Sequence, residues 1–100
     1  MDIMTFEKDL EQKLVKMVER SLGGLCLKWV CPGWAGVPDR ICLLPGGRIF
    51  FVEMKRPGGY TTSRQEWWRD RLTALGFNCF TVYDSAGIDF IRRRIEEFKL

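Results

Sequence analysis

One hundred residues suit a single domain with a modest core, read here as one unit over residues 1–100 with no repeat or linker. Apolar residues at 46% and charged residues at 29% favour a folded soluble chain over disorder. The net charge of +3 identifies no partner, and the lack of any long apolar run or signal-peptide pattern argues against a membrane and for the cytoplasm.

Thr5 is a candidate cap for a helix from about Phe6 to Leu22. Phe6, Leu10, Leu14, Met17 and Ser21 share one stripe, and Gly23-Gly24 stops it. Glu7 and Glu11 fall at the stripe's edge, where charged residues are commonly just solvated. Leu25 to Val30 alternates and reads as a first strand. The loop Cys31 to Pro38 follows, fixed by its glycines and prolines. Trp34 in that loop is either a stacking platform or a plug over the core, and the plug is the commoner fate.

Pro38 to Leu44 is a second strand, and Pro45-Gly46-Gly47 a turn. Ile49 to Lys55 is a third strand, apolar on both faces and therefore central. A three-residue turn pairs Leu44 with Arg48 and sets Asp39 opposite Glu53; a two-residue turn would move Asp39 by one partner. Glu53 and Lys55 share a face with Ile49 and Phe51, where charge is costly unless paired or metal-bound. Two opposed carboxylates repel, and a divalent cation between them would relieve it.

Arg56 to Tyr60 must leave the strand as a surface loop. Thr62 and Ser63 are N-cap candidates, and Ser63-Arg64-Gln65-Glu66 fits the capping box. The helix runs to about Leu75, stops at Gly76, and buries Trp68, Leu72 and Leu75. Gln65 lies on that inward stripe and must satisfy a backbone group or face the carboxylates. Asn78 to Tyr83 is a fourth strand, parallel to the third by a right-handed crossover. Ser85 caps a last helix with Ile88, Ile91, Ile95 and Phe98 on one face and Arg92, Arg93 and Arg94 beside it. The order helix, three strands, helix, strand, helix gives an α/β fold, a small mixed sheet flanked by helices. Cys26, Cys31, Cys42 and Cys79 lack zinc or redox-motif spacing, and the chain has no His, so they read as reduced thiols.

Asp39, Glu53 and Lys55 form a compact hydrolytic set. The carboxylates suit Mg²⁺ or Mn²⁺, and Lys55 can orient a hydroxide or offset charge on a phosphodiester. An isolated Glu-x-Lys is mostly an accidental ion pair; the upstream Pro-Asp, the hairpin and Gln65 lift this one above that.

Gly36-Val37-Pro38-Asp39-Arg40, Pro45-Gly46-Gly47, Phe51-Val52-Glu53-Met54-Lys55 and Gln65 together resemble the VRR-NUC domain of the PD-(D/E)xK nuclease superfamily, from the Glu7–Glu11 helix to the Tyr83 strand. The resemblance implies an αβββαβ core followed here by a C-terminal helix, and a Mg²⁺- or Mn²⁺-dependent DNA endonuclease. It implies Asp39, Glu53 and Lys55 as the catalytic set, the Met54 backbone carbonyl as a further metal ligand, and Gln65 beside the site. Glu11 matches the family's helix acid best, with Glu7 as rival. Free-standing members occur in phages and bacteria and are similar to Holliday-junction resolvases, so a homodimer acting on branched DNA in DNA repair is implied, in a bacterial or phage-infected cytoplasm. One departure is Cys31, where a small hydroxyl residue is expected before Pro-Gly. The alternatives are a non-catalytic DNA-binding or dimerisation module on the same fold, and a structural domain in which Glu53 and Lys55 are only an ion pair. Trp67 and Phe90, off the main helical stripes, are candidate dimer-interface residues.

Overall fold

A computed structural model describes residues 3–98, and only the backbone of residues 3–7 among them. The order is α1 (Ile3–Lys16), a π-helical turn (Met17–Ser21), β1 (Leu25–Lys28), β2 (Arg40–Leu44), β3 (Arg48–Met54), α2 (Ser63–Ala74), β4 (Asn78–Val82) and α3 (Ser85–Phe98). The sheet runs β1-β2-β3-β4, antiparallel across the first two pairs and parallel across β3 and β4. The central position of β3 and the parallel crossover are as the sequence predicts.

The hairpin decides the site. Leu44 pairs with Arg48, and the register continues to Arg40 opposite Val52. Pro45-Gly46-Gly47 is therefore the three-residue turn, with Gly46 and Gly47 both at positive φ, which a side chain would resist. One more step places Asp39 opposite Glu53.

The two sheet faces differ. Cys26, Cys42, Leu44, Phe50, Val52 and Val82 pack with Leu10, Leu14, Met17 and Val18 of the first helix and Ile88, Ile91 and Ile95 of α3. On the other face Phe51 is buried against Trp29 and Phe77, and α2 lies over β4. Leu25 and Leu27 of β1 point to that second face, beyond the reach of α2, and stay exposed.

Five local expectations need correction. The first helix begins at Ile3, so Thr5 lies inside it and caps nothing; the Phe6 side chain lies outside the described residues. Its last turn is π-helical, closed by the Leu22 N–H donating to the Met17 carbonyl at 3.2 Å. Val18 is buried in the core, and Ser21 lies exposed at the end of that wider turn. The N-cap of α2 is Thr62, not Ser63, and Gln65 completes the capping box. The Asp84 carboxylate, not Ser85, caps α3 by accepting from the Gly87 N–H at 3.1 Å. Leu75 and Phe98 are exposed, because each lies at the frayed end of its helix past the last sheet contact. Among the described residues no helix is long and apolar enough to cross a membrane.

Candidate active site

Asp39 sits where the loop enters β2, and Glu53 and Lys55 leave the end of β3. Asp39 Oδ2 accepts from the Met54 N–H at 2.6 Å, which pins the carboxylate across the hairpin. The two carboxyl groups also share a hydrogen bond. Burial, that bond and the charge on Asp39 push Glu53 up to about 8, against the smaller opposing pull of Lys55. The shift favours the protonated form of Glu53, which eases the repulsion between the two acids. The facing pair is the arrangement that the hairpin count predicts.

Gln65 supplies the second half of the cluster. Its Oε1 accepts from Lys55 Nζ at 2.5 Å and from the Thr62 N–H at 3.0 Å. Its Nε2 donates to Glu53 Oε1 at 3.2 Å. Both alternatives for Gln65 are thus realised, because one oxygen serves the helix cap and the lysine together. Lys55 and Glu53 meet through this amide, and no direct ion pair between them is found among the described residues. Lys55 Nζ also donates to the Tyr60 carbonyl at 2.9 Å, which ties the following loop to the site. An ammonium has three N–H donors, so one remains for a ligand.

The third wall is Glu11. Its Oε2 accepts from Arg40 Nη2 at 3.4 Å. Arg40 is buried, gives Nη1 to the Cys26 carbonyl at 3.4 Å, and keeps a buried Nε without a partner among the described residues. A cavity of about 320 Å³ opens between α1 and the strand ends, lined by Leu10, Glu11, Asp39, Met54, Lys55 and Tyr60. Glu53 lines a smaller recess with Gln65 and Pro38 instead, because its carboxylate is turned to the Gln65 amide. The Glu7 side chain lies outside the described residues.

Sequence reasoning gave Arg40 no role. The signal was present: in β2 it shares a face with Cys42 and Leu44, so strand alternation alone turns it inward. A buried guanidinium needs an acid, and Glu11 is the one it meets.

Two close approaches aim Asp39. A side chain at Gly36 would place Cβ 2.6 Å from Arg64 Cβ, and Gly36 holds φ +87°, so only glycine lets the loop rest on α2. Trp68 Nε1 donates to the Ala35 carbonyl at 3.0 Å. Trp34, expected as a plug, is 54% exposed and meets Trp68 edge-on. Beneath that loop Trp29 and Trp68, both half-buried, already meet edge-on.

Asp39 and Glu53 are the donors that a hard cation could use. Among the described residues no cluster of three or more His, Cys, Asp or Glu forms. Mg²⁺ commonly takes one or two carboxylates and fills its sphere with water and phosphate oxygen, so the pair fits. A cation between them would also replace the shared proton. The four thiols are free, with Cys26 and Cys42 paired across β1 and β2 at an Sγ–Sγ distance of 3.7 Å.

A protein named "Putative nuclease p44", from Acyrthosiphon pisum secondary endosymbiont phage 1, is 45% identical over 85 residues, or 85% of this chain and 89% of the relative. A solved structure titled "VRR_NUC domain" superposes with a TM-score of 0.78 at 30% identity, covering 92% of this chain and 96% of its own. No family model matches the chain.

Proposed function

Since this chain belongs to the VRR-NUC family of nucleases, we propose that residues 1–100 form one nuclease domain that cuts DNA internally, with Mg²⁺ or Mn²⁺. The observation that carries the reading is the facing Asp39–Glu53 pair, with Asp39 pinned by the Met54 N–H and Glu53 bridged through Gln65 to Lys55. A purely structural ion pair would join Glu53 to Lys55 directly and would not need a second acid.

Asp39, Glu53 and the Met54 carbonyl would hold the cation, and Glu11 faces the same cavity as Asp39 as a further acid. When bound, the cation supplies a water of lowered pKa and positive charge beside the phosphate. Hydrolysis joins that water's oxygen to phosphorus, breaks one P–O ester bond, and leaves a phosphate and a hydroxyl. Gln65 and the Tyr60 carbonyl fix Lys55 Nζ, so its remaining N–H can meet the phosphate as charge grows on it. Gln65 holds the Glu53 carboxylate in place through its Nε2–H, ready to serve as a ligand to a bound cation.

Branched DNA, such as a four-way junction, is the proposed substrate, and a homodimer the proposed form. So small a chain has few accessory surfaces for reading sequence, which leaves shape recognition through phosphates. Paired symmetric cuts need two sites related by a two-fold axis. Leu25 and Leu27 on β1, and Phe90 with Phe98 on α3, are exposed apolar surfaces available to a second copy. Action on DNA in a repair setting within the cytoplasm belongs to the same proposal.

The test is cleavage of labelled four-way junction, flap and linear duplex, with Mg²⁺, Mn²⁺ or EDTA. Metal-dependent internal cutting that favours a branched DNA, junction or flap, over the linear duplex is expected. Failure to cut any of the three with either metal would overturn the enzymatic reading. Equal cutting of all three would overturn the branched-DNA preference alone.

A further inference from the structure

Beside the site lies a surface that catalysis does not use. Trp34 and Trp67 are 54% and 47% exposed, unusual for so apolar a side chain. Both are held by Trp68. The Trp34 ring meets it at 5.8 Å and 80°, and the Trp67 ring at 5.2 Å and 89°. Trp68 is fixed in turn by Trp29 at 5.9 Å and by its bond to the Ala35 carbonyl. Two half-exposed indoles thus stand on a rigid base. A perpendicular contact with Trp68 occupies at most one face of each ring, so each keeps a face open.

Charge interleaves with these rings. Arg64, Trp67 and Arg71 are all exposed and fall at i, i+3 and i+7, one stripe along α2. Glu66 and Asp70 lie to one side of the stripe, and Asp70 is engaged by Arg69 at 3.8 Å. The stripe is also tied to the chemistry. Arg64 precedes Gln65, which holds Glu53 and Lys55, and its Cβ carries Gly36, three residues before Asp39. Trp67 lies two residues and about 200° around the helix from Gln65, so the stripe faces away from the Gln65 side of α2 and meets DNA that flanks the site.

We propose that Trp34 and Trp67 form a stacking platform for an unpaired nucleobase, with Arg64 and Arg71 holding the phosphates on either side. Indole faces alternating with guanidinium groups suit a single strand, whose bases have open faces and whose backbone carries regular charge. A base inside a duplex has both faces covered by its neighbours and cannot use the platform. The platform therefore selects DNA that has unpaired nucleotides beside the duplex being cut. This assignment rests on the nuclease reading and narrows branched DNA to forms with an unpaired arm, a flap or fork, over a fully paired four-way junction.

Binding is measured in the Asp39→Asn background to prevent cutting. The probes are a forked duplex with a short unpaired arm and a fully paired duplex of the same sequence. Trp34→Ala and Trp67→Ala should each weaken fork binding by about tenfold or more and duplex binding by less than about twofold. Indole fluorescence should be quenched by the fork more than by the duplex. Trp67→Phe, which keeps a stacking face, should restore most of the fork preference. Arg64→Gln and Arg71→Gln, both at exposed positions, should each lower the salt dependence of fork binding by about one counterion. They test the surface even if a tryptophan variant fails to fold.

Equal loss on both DNAs, or no loss on either, would overturn the platform. So would a Trp67→Ala protein that becomes monomeric with fork binding intact, which would make Trp67 an interface residue. The two readings fail separately. A wild type that prefers the fork but cuts neither DNA with Mg²⁺ or Mn²⁺ refutes the nuclease alone. A wild type that cuts, with alanine variants that still prefer the fork, refutes the platform alone.

Discussion

The two walls of the cavity are built differently. On the sheet side, Asp39, Met54 and Lys55 line the cavity, backed by Glu53 and Gln65, and three hydrogen bonds of 2.5–3.2 Å fix them: Met54 N–H to Asp39, Gln65 to Glu53, and Lys55 to Gln65. On the helix side, Glu11 meets Arg40 at 3.4 Å, Arg40 meets the Cys26 carbonyl at 3.4 Å, and a buried Nε has no partner among the described residues. The first wall is preorganised, as a group that must act on a developing charge should be. The second is loosely held, so Glu11 can exchange Arg40 for another cation at small cost. The sheet wall is therefore expected to carry the chemistry and the helix wall to adjust to what enters.

The largest effects should come from the tight wall. Lys55→Ala should lower cleavage by about 10²–10³-fold, the loss typical of removing one preorganised donor. Junction affinity should stay within a few-fold, because it is spread over many phosphates. Single-turnover cleavage beside a binding titration separates the two. Near-normal turnover would remove Lys55 from the mechanism and leave the tight wall a structural feature.

The shared proton offers a second test on the same wall. Glu53 is raised to about 8 in the fold from an ordinary value of 4.5. Between those values the folded state holds a proton that the unfolded chain has released. Metal-free stability should therefore be highest below about pH 4.5 and fall as pH rises through about 8, so far as Glu53 is concerned. Thermal melts in EDTA across this window should show the slope, and Glu53→Gln should flatten it. Mg²⁺ should flatten it too, because a cation displaces the proton. An unchanged slope in Glu53→Gln would mean that the acids do not share a proton.

Next comes the loose wall. Glu11→Gln should reduce cleavage by about tenfold, the lower end for groups that support metal ligands. Its amide oxygen can still accept from Arg40, so the fold should be little affected. Glu7→Gln should have the smaller effect, since a first-turn carboxylate already has a reason to exist beside the helix dipole. Cleavage rates at several Mg²⁺ concentrations decide it, and the reverse ranking would give the wall to Glu7.

The contrast also marks what the sequence could disclose. The tight wall was legible because it follows from counting. A Pro-Gly-Gly turn fixes the register, the register opposes Asp39 to Glu53, and helical spacing turns Gln65 inward. The loose wall was half legible. Glu11 stood out as an acid at a stripe edge, but its partner lies 29 residues away, and Arg40 was read only as part of a motif. The π turn was not legible, since an i→i+5 bond leaves no mark on composition; Val18, four residues after Leu14, was legible as stripe, and Ser21 lies exposed at the end of the π turn. Trp34 was misplaced because its burial depends on how much of the core other tryptophans already fill.

The smallest effect is the most discriminating. Asp39→Asn should abolish metal-dependent cleavage, yet the metal-free fold should be as stable or more stable, by about 0.5–1 kcal/mol on the scale of cross-strand pairs. The reason lies in the bonds that survive. An Asn oxygen can still accept from the Met54 N–H, which Asp39 now holds at 2.6 Å. The Asn NH₂ can donate to Glu53, which removes the need for a shared proton and for the burial of a second acid. Glu53 then ionises more readily, and Gln65 and Lys55 remain beside it. Added Mg²⁺ should raise the melting temperature of the wild type and raise that of the variant less, since stabilisation follows the occupancy of the folded state alone. If the pair were structural, the variant would lose stability and Mg²⁺ would treat both proteins alike. Melts in EDTA and in Mg²⁺ show which holds. A marked loss of metal-free stability in Asp39→Asn would place the tight wall in the service of the fold rather than of a cation.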